Sequence, residues 1–205
     1  MRGGLRNMKI LGLLGGVASG KSLVARQLVD LGAVVFNADR AGHDALLLPS
    51  IEAAARQRWG NAVFGPDGHI DRAQLARIVF APPPDGPPER KYLESLTHPE
   101  ISRRLAAVAE SEEAAAPLIV LDAALILEAG WDKLCDYFAF VEVPQELRLA
   151  RALQRGWKEE DFSAREAAQE SLDSKRTRAD VIIDNSGSAE HTQAQVKRLW
   201  QFLVG

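Results

Sequence analysis

The feature that most constrains this chain is the spacing Gly15-x-x-x-x-Gly20-Lys21-Ser22, set between an apolar run and a helical pattern. A strand, a glycine-rich turn and a helix in this order are typical of a phosphate-binding loop, in which backbone amides point inward at a polyphosphate. The glycines are needed because side chains would obstruct so close an approach. The sequence therefore predicts binding of a nucleoside triphosphate. The alternative is a tight turn with a solvated Lys21.

Each position in this loop has an expected role. We predict that Lys21 contacts the β and γ phosphates and that Ser22 offers its hydroxyl to Mg²⁺. Backbone amides at the positive end of the following helix should hold the remaining phosphate oxygens. The loop residues predicted to bind nucleotide are Gly15, Ala18, Ser19, Gly20, Lys21, Ser22 and Leu23.

Composition favours a soluble, cytoplasmic enzyme that is a monomer or a weak homo-oligomer. The 205 residues, 46% hydrophobic and 26% charged, suffice for one α/β domain with sizeable insertions. A net charge of −3 gives no basic field that would favour nucleic acid as a partner, and no stretch is apolar enough to span a membrane. The single Cys135 cannot form an internal disulfide, which indicates a reducing compartment. The alternative for Cys135 is a reactive thiol.

Five apolar runs separated by helical patterns predict strands at residues 10–14, 33–36, 118–121, 138–143 and 181–183. Strands that alternate with helices after a phosphate loop indicate an α/β fold with a five-stranded parallel sheet covered by helices. In such a sheet the ligand lies at the carboxyl ends of the strands, so functional residues should follow each strand.

Two segments are too long and too polar to be simple crossovers. Residues 39–116 contain helical patterns at 51–59, 72–80 and 99–111 and are expected to form a helical substrate-binding domain. Within them, residues 81–90 hold half of the ten prolines. We expect an extended surface loop there, the alternative being a polyproline docking ligand.

Residues 148–178 are dense in charge and are expected to form a helical lid. Arg148, Arg151 and Arg155 are spaced by three and four residues, so that one helix face can present all three guanidiniums to a phosphoryl group. The alternative is a solvated helix face. The nucleotide-binding core then comprises 8–38, 117–147 and 179–205, and 1–7 form a loose tail.

Three strand ends carry further candidates. Asp39 follows the second strand, where a general base would accept a hydroxyl proton, although it could instead cap the next helix. Asp122 ends the run LIVLD and could hold Mg²⁺ through water or serve only structure. The turn from Asp184 to Gly187 is suited to contacts with a nucleobase, but turn chemistry alone explains it equally well.

From residue 8 to the last helix the chain resembles the dephospho-coenzyme A kinase family of P-loop kinases. The phosphate loop is shared by many families. More specific are DG-x-x-DR within residues 64–80, LE-x-x-x-HP at 93–99 and AD-x-x-IDN-x-G at 179–187. Further matches are LILE at 125–128 and Gln169.

This resemblance implies transfer of phosphate from ATP, with Mg²⁺, to the ribose 3′-hydroxyl of 3′-dephospho-coenzyme A. In that reaction Lys21 and Ser22 would bind ATP and Mg²⁺, Asp39 would act as the base, and Arg151 and Arg155 would approach the phosphates from the lid.

The resemblance also implies where base and acceptor bind. Asn185, Ser186 and Gly187 would belong to the adenine site. The helical insertion would hold the acceptor, although His98 could instead begin a helix and pack. The acceptor contacts implied are Asp39, His98 and Glu128.

The chain departs from the family pattern at four positions. Family members usually carry threonine where this chain has Leu14 and Leu23, aspartate where it has Asn37, and proline where it has Ala124. Leu23 should matter little, because a backbone amide makes the expected contact. Leu14 and Asn37 remove polar groups from beside the site and could lower turnover or change substrate contacts.

Other functions remain open. A regulatory GTPase would use the same loop, but the chain contains no N-K-x-D motif to read guanine. A kinase for another small-molecule hydroxyl, or a non-catalytic nucleotide-binding module, would share the fold without this acceptor.

Overall fold

A computed structural model describes residues 8–111, 116–123 and 126–205. The predicted tail at 1–7 lies outside the described residues. The chain divides into two compact units: one comprises the chain through Asn37 and again from Val108, and the other is Ala38–Ala107.

The first unit contains the predicted parallel sheet. Its strands are β1 (Lys9–Gly15), β2 (Val34–Asn37), β3 (Leu118–Asp122), β4 (Tyr137–Glu142) and β5 (Val181–Asp184). They pair in parallel in the order β2-β3-β1-β4-β5. The α/β fold and all five strands are thus confirmed, with each end shifted by at most one residue.

The central strand and two helices form the core of this unit. Six of the seven residues of β1 are buried, as expected for a strand covered on both faces. Helices α1 (Lys21–Val29) and α9 (Ala189–Val204) pack together against the sheet, with Leu28 and Leu199 in the same apolar cluster as Leu11. This core fixes the end of β1 and the start of α1, between which the phosphate loop lies.

Three further helices of the first unit follow β4. They are α6 (Gln145–Gln154), α7 (Glu159–Ala167) and α8 (Leu172–Thr177), and they occupy most of the predicted lid. A short 3₁₀ helix, Trp131–Leu134, precedes β4.

The second unit is helical. It comprises α2 (Ala38–Ala45), α3 (Pro49–Trp59), a 3₁₀ helix at Gly60–Val63, α4 (Arg72–Val79) and most of α5 (Gly86–Glu110). Apolar side chains of α3 and α4, including Ile51 and Leu75, form its core.

The specific DG-x-x-DR stretch has a clear local structure in this unit. Phe64 and Ile70 form an isolated antiparallel bridge around a turn in which Gly68 has φ +82°. The carboxylate of Asp71 then caps α4 by accepting from the amides of Ala73 at 2.8 Å and Gln74 at 3.2 Å. The motif is therefore a turn followed by a helix cap.

Two predictions about α5 are wrong. The proline-rich loop ends at Asp85 rather than at residue 90, because Pro87 and Pro88 lie in the first turn of α5, where a missing N–H costs no helical bond. The helix also continues through Pro99 instead of beginning there. Burial of Ile101 and Leu105 on one face holds this part of the helix in place despite the lost hydrogen bond.

Among the described residues, no helix combines the length and apolar character needed to cross a membrane.

Candidate nucleotide-binding site

The loop between β1 and α1 has the backbone conformation that close approach to an anion requires. Gly15 and Gly20 have φ of +148° and +93°, and Ala18 also has a positive φ of +58°. A non-glycine residue in this region costs about 1–3 kcal/mol and persists only where its surroundings impose it. Gly20 then begins α1, its carbonyl accepting from the amide of Leu23 at 2.9 Å. The loop is therefore held in a strained shape of the kind found at ligand sites.

The side chain of Lys21 folds back onto this loop. Its Nζ donates to the carbonyls of Gly15 at 3.0 Å and Gly16 at 3.3 Å. Burial lowers the pKa of Lys21 to about 8, the Lys175 ammonium acts in the same direction, and the carboxylate of Asp122 opposes the shift. A phosphate oxygen would be a better partner for this ammonium than two neutral carbonyls.

Asn185 ties the loop to the end of β5. Its Nδ2 donates to the carbonyl of Ser19 at 2.7 Å, and its Oδ1 accepts from the hydroxyl of Thr192 in α9 at 2.8 Å. The side chain is 3% exposed. Its backbone is engaged as well, since its N–H donates to the carbonyl of Glu142 at 3.0 Å. Asn185 therefore supports the loop and the end of β5.

A cavity of about 530 Å³ lies beside the start of α1. That size suits a small-molecule ligand. Arg151 is anchored in its wall, donating from Nη2 to the carbonyl of Asn185 at 2.8 Å. The structure thus brings together six predicted site residues around this cavity: Gly20, Leu23, Arg151, Arg155, Asn185 and Gly187. Ser186 lies elsewhere, in the wall of a neighbouring cavity of about 560 Å³.

The prediction that one helix face presents three arginines is wrong for Arg148. Arg148 is 2% exposed, and its guanidinium donates to the carbonyls of Val143 and Val17 and to the carboxylate of Glu166. Helical spacing places the three side chains on one face, but that face is partly buried against the phosphate loop. Arg148 is therefore not free to move onto a phosphate.

The predicted metal ligands are Ser22, in the helix that follows β1, and Asp122, at the end of the neighbouring strand β3. Ser22 is exposed in the first turn of α1, and Asp122 ends β3 in register with Asn37 of β2. A hydroxyl and a carboxylate are oxygen donors of the kind Mg²⁺ prefers, and the ion completes its shell with water and phosphate oxygens. Within the described residues there is no group of three or more His, Cys, Asp or Glu able to hold a metal. The donor set therefore fits Mg²⁺ that arrives with a nucleotide.

Glu128 belongs to a buried ionic cluster that sequence reasoning did not identify. Its Oε1 accepts from the backbone amide of Glu170 and lies 3.2 Å from the Nζ of Lys175. Lys175, 2% exposed, also donates to Gln169 at 2.9 Å. The other oxygen of Glu128, Oε2, is buried with no hydrogen-bond partner among the described residues. Lys175 sits in a segment where most charges are exposed, so nothing in the local sequence distinguishes it.

The remaining candidates lie in the helical unit. Asp39 is exposed in the first turn of α2 and is not the residue that precedes the helix, so it is not an N-cap. One turn later, burial and the Arg72 guanidinium lower the pKa of His43 below its usual value, while Asp39 acts in the opposite direction. His98 is half-buried in the middle of α5.

Comparison with known proteins decides between the families that share this loop. A family model for dephospho-CoA kinase matches residues 9–191. A dephospho-CoA kinase of Symbiobacterium thermophilum is 42% identical over 202 residues, covering 97% of this chain and 82% of the relative. One of Geobacter metallireducens is 40% identical, covering 95% and 96% respectively. The chain belongs to the dephospho-CoA kinase family.

Two solved structures share the fold of this chain. The protein TT1252 of Thermus thermophilus is 34% identical with a TM-score of 0.79, over 97% of this chain and all of that one. A dephospho-CoA kinase from Campylobacter jejuni, 22% identical, has the same fold with a TM-score of 0.56 over 96% of this chain and 98% of that one. The GTPase alternative is not favoured.

The departures from the dephospho-CoA kinase pattern can now be placed. Leu14 is buried beside Lys21 and Lys175 in the wall of a small cavity under the loop. Leu23 lines the 530 Å³ cavity. Ala124, like Leu125 of the LILE match, lies outside the described residues.

Proposed function

We propose that this chain transfers the γ-phosphoryl group of ATP to the ribose 3′-hydroxyl of 3′-dephospho-coenzyme A, giving coenzyme A and ADP. The observation that carries the proposal is the dephospho-CoA kinase match over residues 9–191. The strained phosphate loop and the arginine-lined cavity beside it support the nucleotide half of the reaction.

The loop and α1 bind the triphosphate. Backbone amides of the loop and of the start of α1 bind the phosphate oxygens, and Lys21 exchanges its two carbonyl partners for the β and γ phosphates. A nearby dianion stabilises the ammonium form of Lys21, which burial alone disfavours. Mg²⁺, held by Ser22 and through water by Asp122, would neutralise charge on the phosphate oxygens.

Arg151 and Arg155 stabilise the transferring group. Both line the cavity that begins at Gly20, and their forked donors match phosphate oxygens. Residues 148–178 act as the lid, which excludes water that would otherwise hydrolyse ATP. We assign the adenine side of the pocket to Asn185 and Gly187, which line the 530 Å³ cavity, and to the adjoining Ser186, which faces the neighbouring cavity.

The helical unit binds the acceptor. Asp39 accepts the proton of the ribose hydroxyl, which contributes about 10²–10⁴ in rate. His98 contacts the acceptor from α5. Glu128, in the first unit, is assigned to the acceptor by the family resemblance, and its buried Oε2 has no hydrogen-bond partner among the described residues. We place the reaction in the cytoplasm, in keeping with a single, unpaired cysteine.

The test is ADP release from purified protein with Mg²⁺ and ATP, with and without 3′-dephospho-coenzyme A, together with identification of the phosphorylated product. One ADP for each coenzyme A supports the proposal. Lys21→Ala should lower the signal about 100-fold or more, while Lys197→Ala, at an exposed lysine on α9, should leave it unchanged. Turnover with another alcohol and none with dephospho-coenzyme A would favour the second candidate, a kinase of a different acceptor, for which Leu14 and Asn37 are the supporting departures.

A further inference from the structure

Arg148 contacts three different parts of the first unit from a buried position. Its Nε donates to the carbonyl of Val143 at the end of β4 at 3.1 Å, and its Nη1 donates to the carbonyl of Val17 in the phosphate loop at 3.3 Å. The same Nη1 pairs with the carboxylate of Glu166 in α7, whose side chain is 21% exposed. The arginine side chain itself is 3% exposed.

The guanidinium of Arg148 also explains why residue 16 of the loop is a glycine. A Cβ on Gly16 would lie 2.6 Å from Nη1 and 2.9 Å from Cζ of Arg148. Gly16 is not one of the loop residues with a positive φ, so the left-handed conformation that favours glycine is not what requires a glycine here. The position therefore excludes a side chain because Arg148 occupies the space.

Apolar contacts join the same elements. Val17, 7% exposed, packs in one cluster with Ala152 of α6 and Phe162 of α7. The Cζ of Arg148 is 5.6 Å from the centre of the Phe162 ring, within range of a cation–π contact. The tip of the loop is thus attached to α7 by a buried cation and by a buried apolar side chain.

We infer that Arg148 is a positioning residue, which holds Gly16 and Val17 of the phosphate loop in their phosphate-accepting shape and links that shape to helix α7 through Glu166. The carbonyl of Val17 is fixed facing the guanidinium, so the loop amides are already oriented before a nucleotide arrives. Such preorganisation increases affinity because less ordering remains to be done on binding. The inference rests on the proposed nucleotide binding but not on the identity of the acceptor.

The test measures the dissociation constant of ADP with Mg²⁺ by calorimetry and the melting temperature, in a double-mutant cycle. Arg148→Met should weaken ADP binding about tenfold or more, the effect of losing hydrogen bonds from a charged group. Gly16→Ala should weaken it to a similar degree, since overpacking forces the loop to move. In the double variant the methyl group meets no guanidinium, so its constant should match that of Arg148→Met alone.

Arg198→Met is the matched control. Arg198 is an exposed arginine on α9, outside the predicted lid. Its substitution should leave the ADP constant within about twofold of the wild type.

Two results would overturn the inference. The first is an Arg148→Met protein that melts earlier but binds ADP within about twofold of the wild type, because the arginine would then serve stability alone. The second is a double variant whose ADP dissociation constant rises by the product of the two single factors, because the two residues would then act independently. If Arg148→Met does not fold, Glu166→Gln and Gly16→Ala take its place. Both should weaken ADP, and unchanged binding in both would also overturn it.

These measurements need no acceptor. A wild-type protein that binds ADP but does not phosphorylate dephospho-coenzyme A would contradict the proposed function and leave the role of Arg148 standing. If the wild-type protein phosphorylates dephospho-coenzyme A normally and Arg148→Met binds ADP as tightly as the wild type, the proposed function stands and the role of Arg148 is contradicted.

Discussion

Replacing Asn185 with alanine should destabilise the protein without changing which base it prefers. The residue is 3% exposed and makes two side-chain hydrogen bonds. Loss of the bond to Thr192 costs about 1 kcal/mol, because that hydroxyl keeps its second bond to Ser188. The carbonyl of Ser19 is left buried without a side-chain donor, which costs about 2 kcal/mol. The expected loss of unfolding free energy is therefore about 3 kcal/mol.

Thermal unfolding measures this loss directly. In a protein of this size about 3 kcal/mol lowers the melting temperature by about 6–12 °C. Asn61→Ala is the matched control, because Asn61 is exposed and its side chain binds only the nearby Arg56 among the contacts described. A surface change of that kind should stay within about 0.5 kcal/mol.

Competition between ADP and GDP shows whether the Asn185 side chain supports the loop or recognises the base. Asn185→Ala should weaken both nucleotides by the same factor, since the loop that holds their phosphates is loosened. An unchanged melting temperature combined with a changed preference for ADP over GDP would refute this reasoning, because the side chain would then be reading the base.

Three further predictions concern catalysis and the thiol. Lys21→Ala should lower turnover about 100-fold or more, as removal of one group that stabilises transition-state charge does, checked by ADP release at saturating ATP. Asp39→Asn should lower kcat about 100-fold or more with nearly unchanged ATP affinity, and near-normal turnover would remove Asp39 from the base role. Burial, together with the carboxylates of Asp132 and Asp136, raises the pKa of Cys135 to about 12, so a thiol reagent at pH 8 should react with it more slowly in the folded than in the unfolded protein. Because the unfolded thiol loses its proton first, the stability due to Cys135 is fully present below pH 9 and decreases as pH rises toward 12.

The sheet was predictable because its strands are short apolar runs that end in polar or glycine residues. Asp122 and Asp184 mark the ends of β3 and β5 in the sequence as they do in the structure. The phosphate loop was predictable because its glycines and Lys21 have a spacing that few other structures require. In both cases the signal lies within a few neighbouring residues.

The parts that sequence reasoning missed depend on distant partners. In the sequence Arg148 lies on the same helix face as Arg151 and cannot be distinguished from it. Only its contact with Val17, 131 residues away, shows that Arg148 is buried and supports the phosphate loop instead of reaching a phosphate. The burial of Lys175 likewise follows from Glu128, which belongs to a different part of the chain. The extent of α5 was misjudged for a local reason, because proline is tolerated in a first turn and tertiary packing can carry a helix past an interior proline.

The roles assigned to Asp39, His98, Glu128 and the two lid arginines Arg151 and Arg155 stay predictions. Each has a position in the structure, and the Asp39→Asn variant tests the first of these roles.

The measurement that tests the account most directly is product formation from 3′-dephospho-coenzyme A by the purified protein with Mg²⁺ and ATP. We expect one coenzyme A for each ADP released, product formation lowered about 100-fold or more in Lys21→Ala, and little ADP release when the acceptor is absent. Binding of ATP without any coenzyme A formed, under conditions where the protein is folded, would contradict it.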